Sequence, residues 1–335
     1  MPSWNTIALG GLYATGAFRL TEPWLGGLGA IVRIGRVAKP RSDRFQPLWS
    51  REVTPDSLDA AISLLRRSFD IVPIGEVCGR LAEPAESRAR RRFVCLTCDG
   101  GDSDFLSVAY PVFARHQVPF TVYVASAFPD GLGEAWWLAL EQVIARNDRV
   151  SLIAGDVERR LATQTVQDKF VAFGDLYGWL RSLDPPRLSA AINDLCRRHG
   201  VDLRRVSADA SMSWDDLRSL ARDQLATIGS ATVNMAVLSN VDEMAALREM
   251  TMGRAVVEAA LGRDVPHFAF PFGDRDAVAS HRGLVARAGF ASAVTAVPAV
   301  VKKGADPAAL PRIALNNGIP VRALRVKLSG MNSGR

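Results

Sequence analysis

The sequence predicts a parallel-stranded α/β protein, either a barrel or a twisted sheet wrapped by helices. Two observations carry that prediction: short, apolar, β-rich runs recur along the chain, and helical patterns fall between them. The runs lie at residues 30–34, 93–97, 119–125, 226–230, 267–271 and 291–295. One helical stretch covers 55–68, where Thr54 caps and Pro55 takes the first helical position, and a second covers 104–116. A third spans 214–222, capped by Ser213 with Asp216 three residues on, and a fourth spans 240–261, with Glu243 completing a capping box. The rhythm breaks over residues 150–205, where Trp179, Leu180, Leu188, Ile192 and Leu195 fall at helical spacing and no strand is predicted. That stretch reads as a helical insertion. The chain thus divides into an apolar helical segment, 1–28, and one α/β domain, 29–335, which carries the insertion. Residues 80–92, rich in alanine, glutamate and arginine, read as a mobile loop.

At 335 residues, 48% hydrophobic and 23% charged, the chain has the composition of a globular protein with a sizeable core. Its formal charge of +6 comes from 41 basic against 35 acidic residues, scattered apart from the run at 88–92 and a few pairs. This lacks the basic stripe of a nucleic-acid surface, so no nucleic-acid partner is expected, and a diffuse attraction to acidic glycans or anionic lipid is permitted. Residues 7–18 are apolar but follow no charged segment and precede no clear cleavage motif, so no secretory signal is read and a cytoplasmic location is expected. No run of about 18 uninterrupted apolar residues is present, so no membrane span is expected. The segment 4–28, with Trp4 and Trp24, is apolar enough to contact a membrane surface peripherally, although docking on the chain's own core is the simpler expectation.

Four cysteines, Cys78, Cys95, Cys98 and Cys196, fit neither a disulfide scaffold nor a four-thiolate zinc site. Cys95 and Cys98 form a C-x-x-C, but within a strand run, where they read as small apolar fillers.

Functional groups in a barrel of parallel strands gather at the C-terminal strand ends, so the residues just after each run are the ones to inspect. FVCLTCDGGDSD at 93–104 resembles the T-F-D-D-G-Y-x-D signature of the polysaccharide deacetylases. IGSATVNM at 228–235 is similar to their I-G-S/A-H-T-x-x-H metal motif, and FAFPFGD at 268–274 to their F-A-Y-P-Y/F-G loop. IVRIGRV at 31–37 occupies the place of a strand that in relatives ends in His-Arg-Val. AYP at 109–111, VPFT at 118–121 and WWLALE at 136–141 extend the resemblance, which is collinear over residues 29–313. It implies a distorted (β/α) barrel of about seven parallel strands.

The resemblance also implies a chemistry. In that family one aspartate and two histidines hold a divalent ion that polarises an acetamido carbonyl and activates water, while a second aspartate acts as general base. The base position here is Asp99. The ligand positions hold Gly100, Ala231 and Met235, none of which offers zinc the oxygen or nitrogen it needs, so no metal and no other cofactor is expected where relatives use zinc or a similar ion. Gly35 stands where relatives carry another histidine. Scaffold residues around these positions, such as Gly229, Thr232, Pro271 and Gly273, remain. If the ligands were merely shed, Gly100→Asp, Ala231→His and Met235→His together would restore zinc binding on a scaffold that still orients the donors.

Asp99, His267 and Arg36 are the candidate catalytic residues, with Asp102, Asn234, Phe270, Pro271, Phe272 and Asp274 as candidate substrate contacts. His267, just before the FAFP loop, would act as a proton shuttle or be a structural histidine at a strand start. Arg36 would grip an acidic sugar or phosphate, or pair with Asp99. Asp99, Asp102 and Asp104 with Asn234 would gather magnesium or calcium, or form a solvated loop in which Asp104 caps the next helix. The expectation is a deacetylase-like protein of carbohydrate metabolism without metal-dependent N-deacetylation, binding a saccharide or a polysaccharide-biosynthesis protein. The alternatives are a hydrolase of N-acetyl C–N bonds with an unusual ligand set, and metal-free chemistry at Asp99.

Overall fold

A computed structural model of the chain describes residues 4–83, 91–154, 157–273 and 275–331. Helices α1 (Trp4–Thr15) and α2 (Phe18–Leu25) lead into β1 (Gly29–Ile34), the short β2 (Arg36–Val37) and β3 (Glu52–Val53), then α3 (Pro55–Arg66), β4 (Asp70–Ile71) and α4 (Ile74–Ala82). β5 (Phe93–Asp99) is followed by a π turn over Phe105–Ala109 that runs into α5 (Tyr110–His116), then β6 (Phe120–Val124) and α6 (Trp136–Arg146). An excursion comes next: β7 (Arg149–Ala154), β8 (Val157–Ala162), α7 (Val166–Ser182), α8 (Pro185–Arg198) and α9 (Leu203–Asp209). The chain finishes with α10 (Trp214–Ala221), β9 (Ala226–Ser230), α11 (Glu243–Leu261), β10 (His267–Ala269), α12 (Arg275–His281), α13 (Leu284–Arg287), β11 (Ser292–Val294), β12 (Arg312–Leu315) and α14 (Val321–Lys327).

Seven strands pair in the order β11-β10-β9-β6-β5-β1-β12, every pair parallel, and β4 fits against the start of β5. A parallel bridge between Val294 and Leu310 brings the two ends of this path together, with Thr295 N donating to Leu310 O at 2.9 Å. The product is the distorted barrel expected from the sequence. Its strands are apolar on both faces because both are buried. Ile31, Cys95, Tyr123, Ala269 and Val294 fill the interior, while Val32, Val94, Leu96 and Val122 face the surrounding helices. Cys95 and Cys98, three apart on β5, therefore point to opposite faces and are no redox pair.

Several boundaries differ from expectation. β4 and β12 lie outside the predicted runs, since each is short and begins with a charged residue, Asp70 or Arg312. The stretch 150–205 is not wholly helical: β7 and β8 form an antiparallel hairpin whose Val150 and Leu152 pack on Ile192 and Leu195 of α8. That second core already includes Trp136 and Leu140 of α6, so the excursion starts earlier than its predicted bound. α11 starts at Glu243 under an Asp242 cap, whose carboxylate accepts from Ala245 N at 2.7 Å. Asn240 instead donates its amide to Arg181 O at 2.8 Å and Leu183 O at 2.9 Å, tying α7 to the barrel. Residues 84–90, most of the predicted mobile loop and part of the basic run, lie outside the described residues.

The N-terminal segment docks on the chain itself. Phe18, 2% exposed, packs with Leu9 against Ala323 and Val326 of α14, and Glu22 pairs with Arg92 and, at 2.8 Å, with Arg325. Among the described residues no helix is long and apolar enough to cross a membrane. If this segment belongs to the barrel's cooperative unit, Phe18→Ala lowers the free energy of unfolding by about 3 kcal/mol in a urea titration. A loss under about 0.5 kcal/mol, the scale of an ordinary surface change, would separate the segment from the fold.

Candidate functional site

β1 and β5 pair in register from Gly29 opposite Phe93 to Ile34 opposite Cys98. Alternation then turns Arg33 of β1, and Thr97 and Asp99 of β5, toward the barrel axis above the apolar interior. Arg312, at the start of β12 and only 1% exposed, reaches the same place. Its Nη1 and Nη2 donate to the two Asp99 oxygens at 2.5 and 2.8 Å, and its Nε donates to Thr295 O at 2.6 Å. This is a bidentate, charge-assisted pair, the strongest form of the guanidinium–carboxylate contact. Arg33 lies at 3.9 Å from Asp99, outside hydrogen-bonding distance.

Arg36 does not pair with Asp99. Its Nη2 donates to Asp104 at 3.0 Å and its Nε lies 3.9 Å from Asp102, so Asp104 holds an arginine and does not cap the following helix. Burial works against the Arg36 charge, but Asp102 and Asp104 outweigh it and raise the Arg36 pKa. Burial also dominates at Asp102: against the pull of Arg36, and with Asp104 and Glu52 adding to it, the carboxyl is pushed up to about 7.

Arg33, Arg36, Asp99 and Asp102 line a cleft of about 210 Å³ at the C-terminal ends of the strands. The insertion supplies one wall, with Tyr177 of α7 joining Trp137 and Leu138 of α6, and Phe272 of the FAFP loop packs onto it. Trp136 and Trp137 flank Phe272 at 6.3 and 6.5 Å between ring centroids. The end of the insertion also clamps the floor, because Met212 N donates to Gly101 O at 2.6 Å and Asp102 bridges Ser211. Arg51 enters over the Tyr177 ring, 4.2 Å from its centroid, and donates to the Tyr177 hydroxyl. Glu52 is held by Arg41 at 3.2 Å, which also binds Glu141 at 3.0 Å.

Of the residues expected at the site, Asp99, Arg36, Asp102 and Phe272 gather there. His267 is at the other end of its strand, where its Nδ1 meets Ser292 Oγ at 2.8 Å and burial lowers its pKa to about 4. Asn234 is exposed and turned outside the cleft, its backbone N donating to Glu249 at 3.1 Å. Phe270 is buried against Phe268 and Pro271 is buried behind the loop, so neither reaches the cleft, and Asp274 lies outside the described residues. Sequence reading missed Arg33, Arg51, Trp137, Tyr177 and Arg312; the available signals were a charge at an inward strand position for Arg33 and a charge heading an apolar run for Arg312.

The positions that the sequence resemblance aligns with metal ligands do not fit a metal here. Gly100 has φ +120°, a conformation an aspartate adopts only under strain, and Met235 has φ +53°. Ala231 is 2% exposed and Met235 offers only a thioether. A Cβ at Gly35 would fall 1.9 Å from the backbone oxygen of Arg51, so the turn carrying Arg51 occupies the space of any side chain there. Among the described residues no three His, Cys, Asp or Glu side chains converge as a metal site.

The fold matches those of solved deacetylases. The Streptococcus pyogenes deacetylase PplD, in complex with acetate, superposes with a TM-score of 0.56 at 14% identity, covering 89% of this chain and 97% of its own. IcaB from Ammonifex degensii gives 0.54 at 15% identity over 91% and 97% of the two chains. A polysaccharide deacetylase from Bacillus cereus gives 0.52 at 11% identity over 89% and 68%. The chain therefore has the polysaccharide deacetylase fold. No family model and no curated protein matches its sequence.

A carboxyl whose pKa is raised by folding favours the folded state while protonated. The Asp102 contribution is thus full below the ordinary carboxylate range, near 3.8, and is lost as pH rises through about 7. Asp102→Asn removes that dependence, so melting curves should show the variant gaining on the natural chain between about pH 4 and pH 8. A Tm difference that stays constant over the range would contradict the raised pKa.

Proposed function

We propose that this protein binds a saccharide in the cleft at the barrel mouth and does not carry out metal-dependent N-deacetylation. One observation carries the reading: both Asp99 oxygens are engaged by Arg312, while the three ligand positions hold Gly100, Ala231 and Met235. A carboxylate clamped in this way is a poor general base, and amide hydrolysis without a Lewis acid forgoes several kcal/mol of transition-state stabilisation. The cleft has what sugar recognition needs, namely aromatic side chains at Trp137 and Phe272 beside polar donors in a concave site. The polysaccharide deacetylase fold supports a glycan as ligand, while the site supports binding over turnover.

The test is elemental analysis of purified protein combined with acetate-release and calorimetric binding assays on N-acetylated oligosaccharides. Saccharide binding with no acetate above the buffer blank is expected, with or without added zinc. One equivalent of tightly held transition metal together with acetate release would replace this reading by a hydrolase with an unusual ligand set.

A further inference from the structure

The charges lining the cleft do not pair off evenly. Asp99 is taken by Arg312 from behind and Glu52 by Arg41, while Arg36 is taken by Asp104 just outside the lining and lies 3.9 Å from Asp102, as Arg33 does from Asp99. Arg33 and Arg51 remain, and among the described residues neither has a carboxylate within hydrogen-bonding distance. The absent side chain at Gly35 lets the Arg51 turn press against the end of β1, which brings the two guanidiniums to the same part of the cleft. Burial lowers the Arg33 pKa, Asp99 opposes that, and Arg312 and Arg51 lower it further, so Arg33 carries its charge at a cost. The Nε of Arg36, also at the cleft, is buried with no acceptor. Two like charges held together, with the one facing carboxylate, Asp99, 3.9 Å away and already engaged by Arg312, and next to an aromatic wall, are complementary to an anion on a sugar ring.

We infer that the cleft is specific for an anionic saccharide, its carboxylate or phosphate group held between Arg33 and Arg51 and its ring against Trp137. This rests on the saccharide-binding reading and narrows it to a ligand class. The carboxylate and phosphate sources share one chemistry, and they differ in the probe that detects them.

The experiment is isothermal titration of the full chain with oligogalacturonate, with a sugar phosphate, and with a neutral N-acetylglucosamine oligomer of matched length. At least one anionic probe should bind ten or more times tighter than the neutral oligomer, and that advantage should shrink as salt rises from about 50 to about 300 mM. The stronger of the two anionic probes names the group. Arg51→Gln and Arg33→Gln should each cost the anionic probe about tenfold more than they cost the neutral oligomer, so that the preference for the anion falls by that factor. Arg51→Lys, which keeps the charge and loses the fork, should fall between the two, and it serves as the folded control if a glutamine variant fails to fold. Equal affinity for neutral and anionic sugars, insensitive to these variants, would overturn the inference while leaving saccharide binding in place. Binding of none of the three probes would overturn both.

Discussion

The pair between Arg312 and Asp99 is the contact on which the mouth of this barrel depends. It joins the first residue of β12 to the last of β5 across the intervening β1, at the part of the ring where the chain must close. A guanidinium 1% exposed is tolerated there only because two carboxylate oxygens, Thr295 O and Thr97 Oγ1 accept from it. Removing one partner of such a pair typically costs about 3–5 kcal/mol, since the other is left uncompensated. The same pairing decides the chemistry of the site. It ties up the one carboxylate that the resemblance casts as a base, and it leaves Arg33 without a close partner.

A site emptied by loss of ligands alone would keep a backbone that suits them, and at Gly100, with φ +120°, this one does not. Backbone at Gly100 holds a conformation that suits glycine, the Arg51 turn fills the space beside Gly35, and the end of the insertion clamps Gly101. These features come from separate parts of the chain. Restoring a zinc site by three substitutions would therefore work against backbone strain at position 100.

Much of the fold was legible because strand ends and helix caps are local signals. The run 226–230 coincides with β9, and Thr54 and Ser213 cap as read, accepting from Ser57 N and Asp216 N. β7 and β8 escaped notice because much of the hairpin is polar and exposed, and β12 because its first residue is a buried arginine. At the site, the rule that chemistry follows the strands located Asp99 and Asp102. His267 was drawn in by its closeness to the FAFP loop, although its short side chain turns to Ser292 and Gly75 and, unlike the long Arg312 at the start of β12, does not reach the mouth. What a sequence does not encode locally is pairing: Asp99 and Arg312 are 213 residues apart, and nothing near either one says that Arg312, and not Arg36, is the partner.

The most direct measurement is a zinc titration of the Gly100→Asp, Ala231→His, Met235→His variant, with circular dichroism showing that it remains folded. A rebuilt mouth predicts no zinc binding at micromolar concentrations, because the aspartate at position 100 is strained and the set of three donors is never assembled. One equivalent of zinc bound at micromolar strength or tighter, in a folded variant, would contradict the account and mean that the site was only emptied.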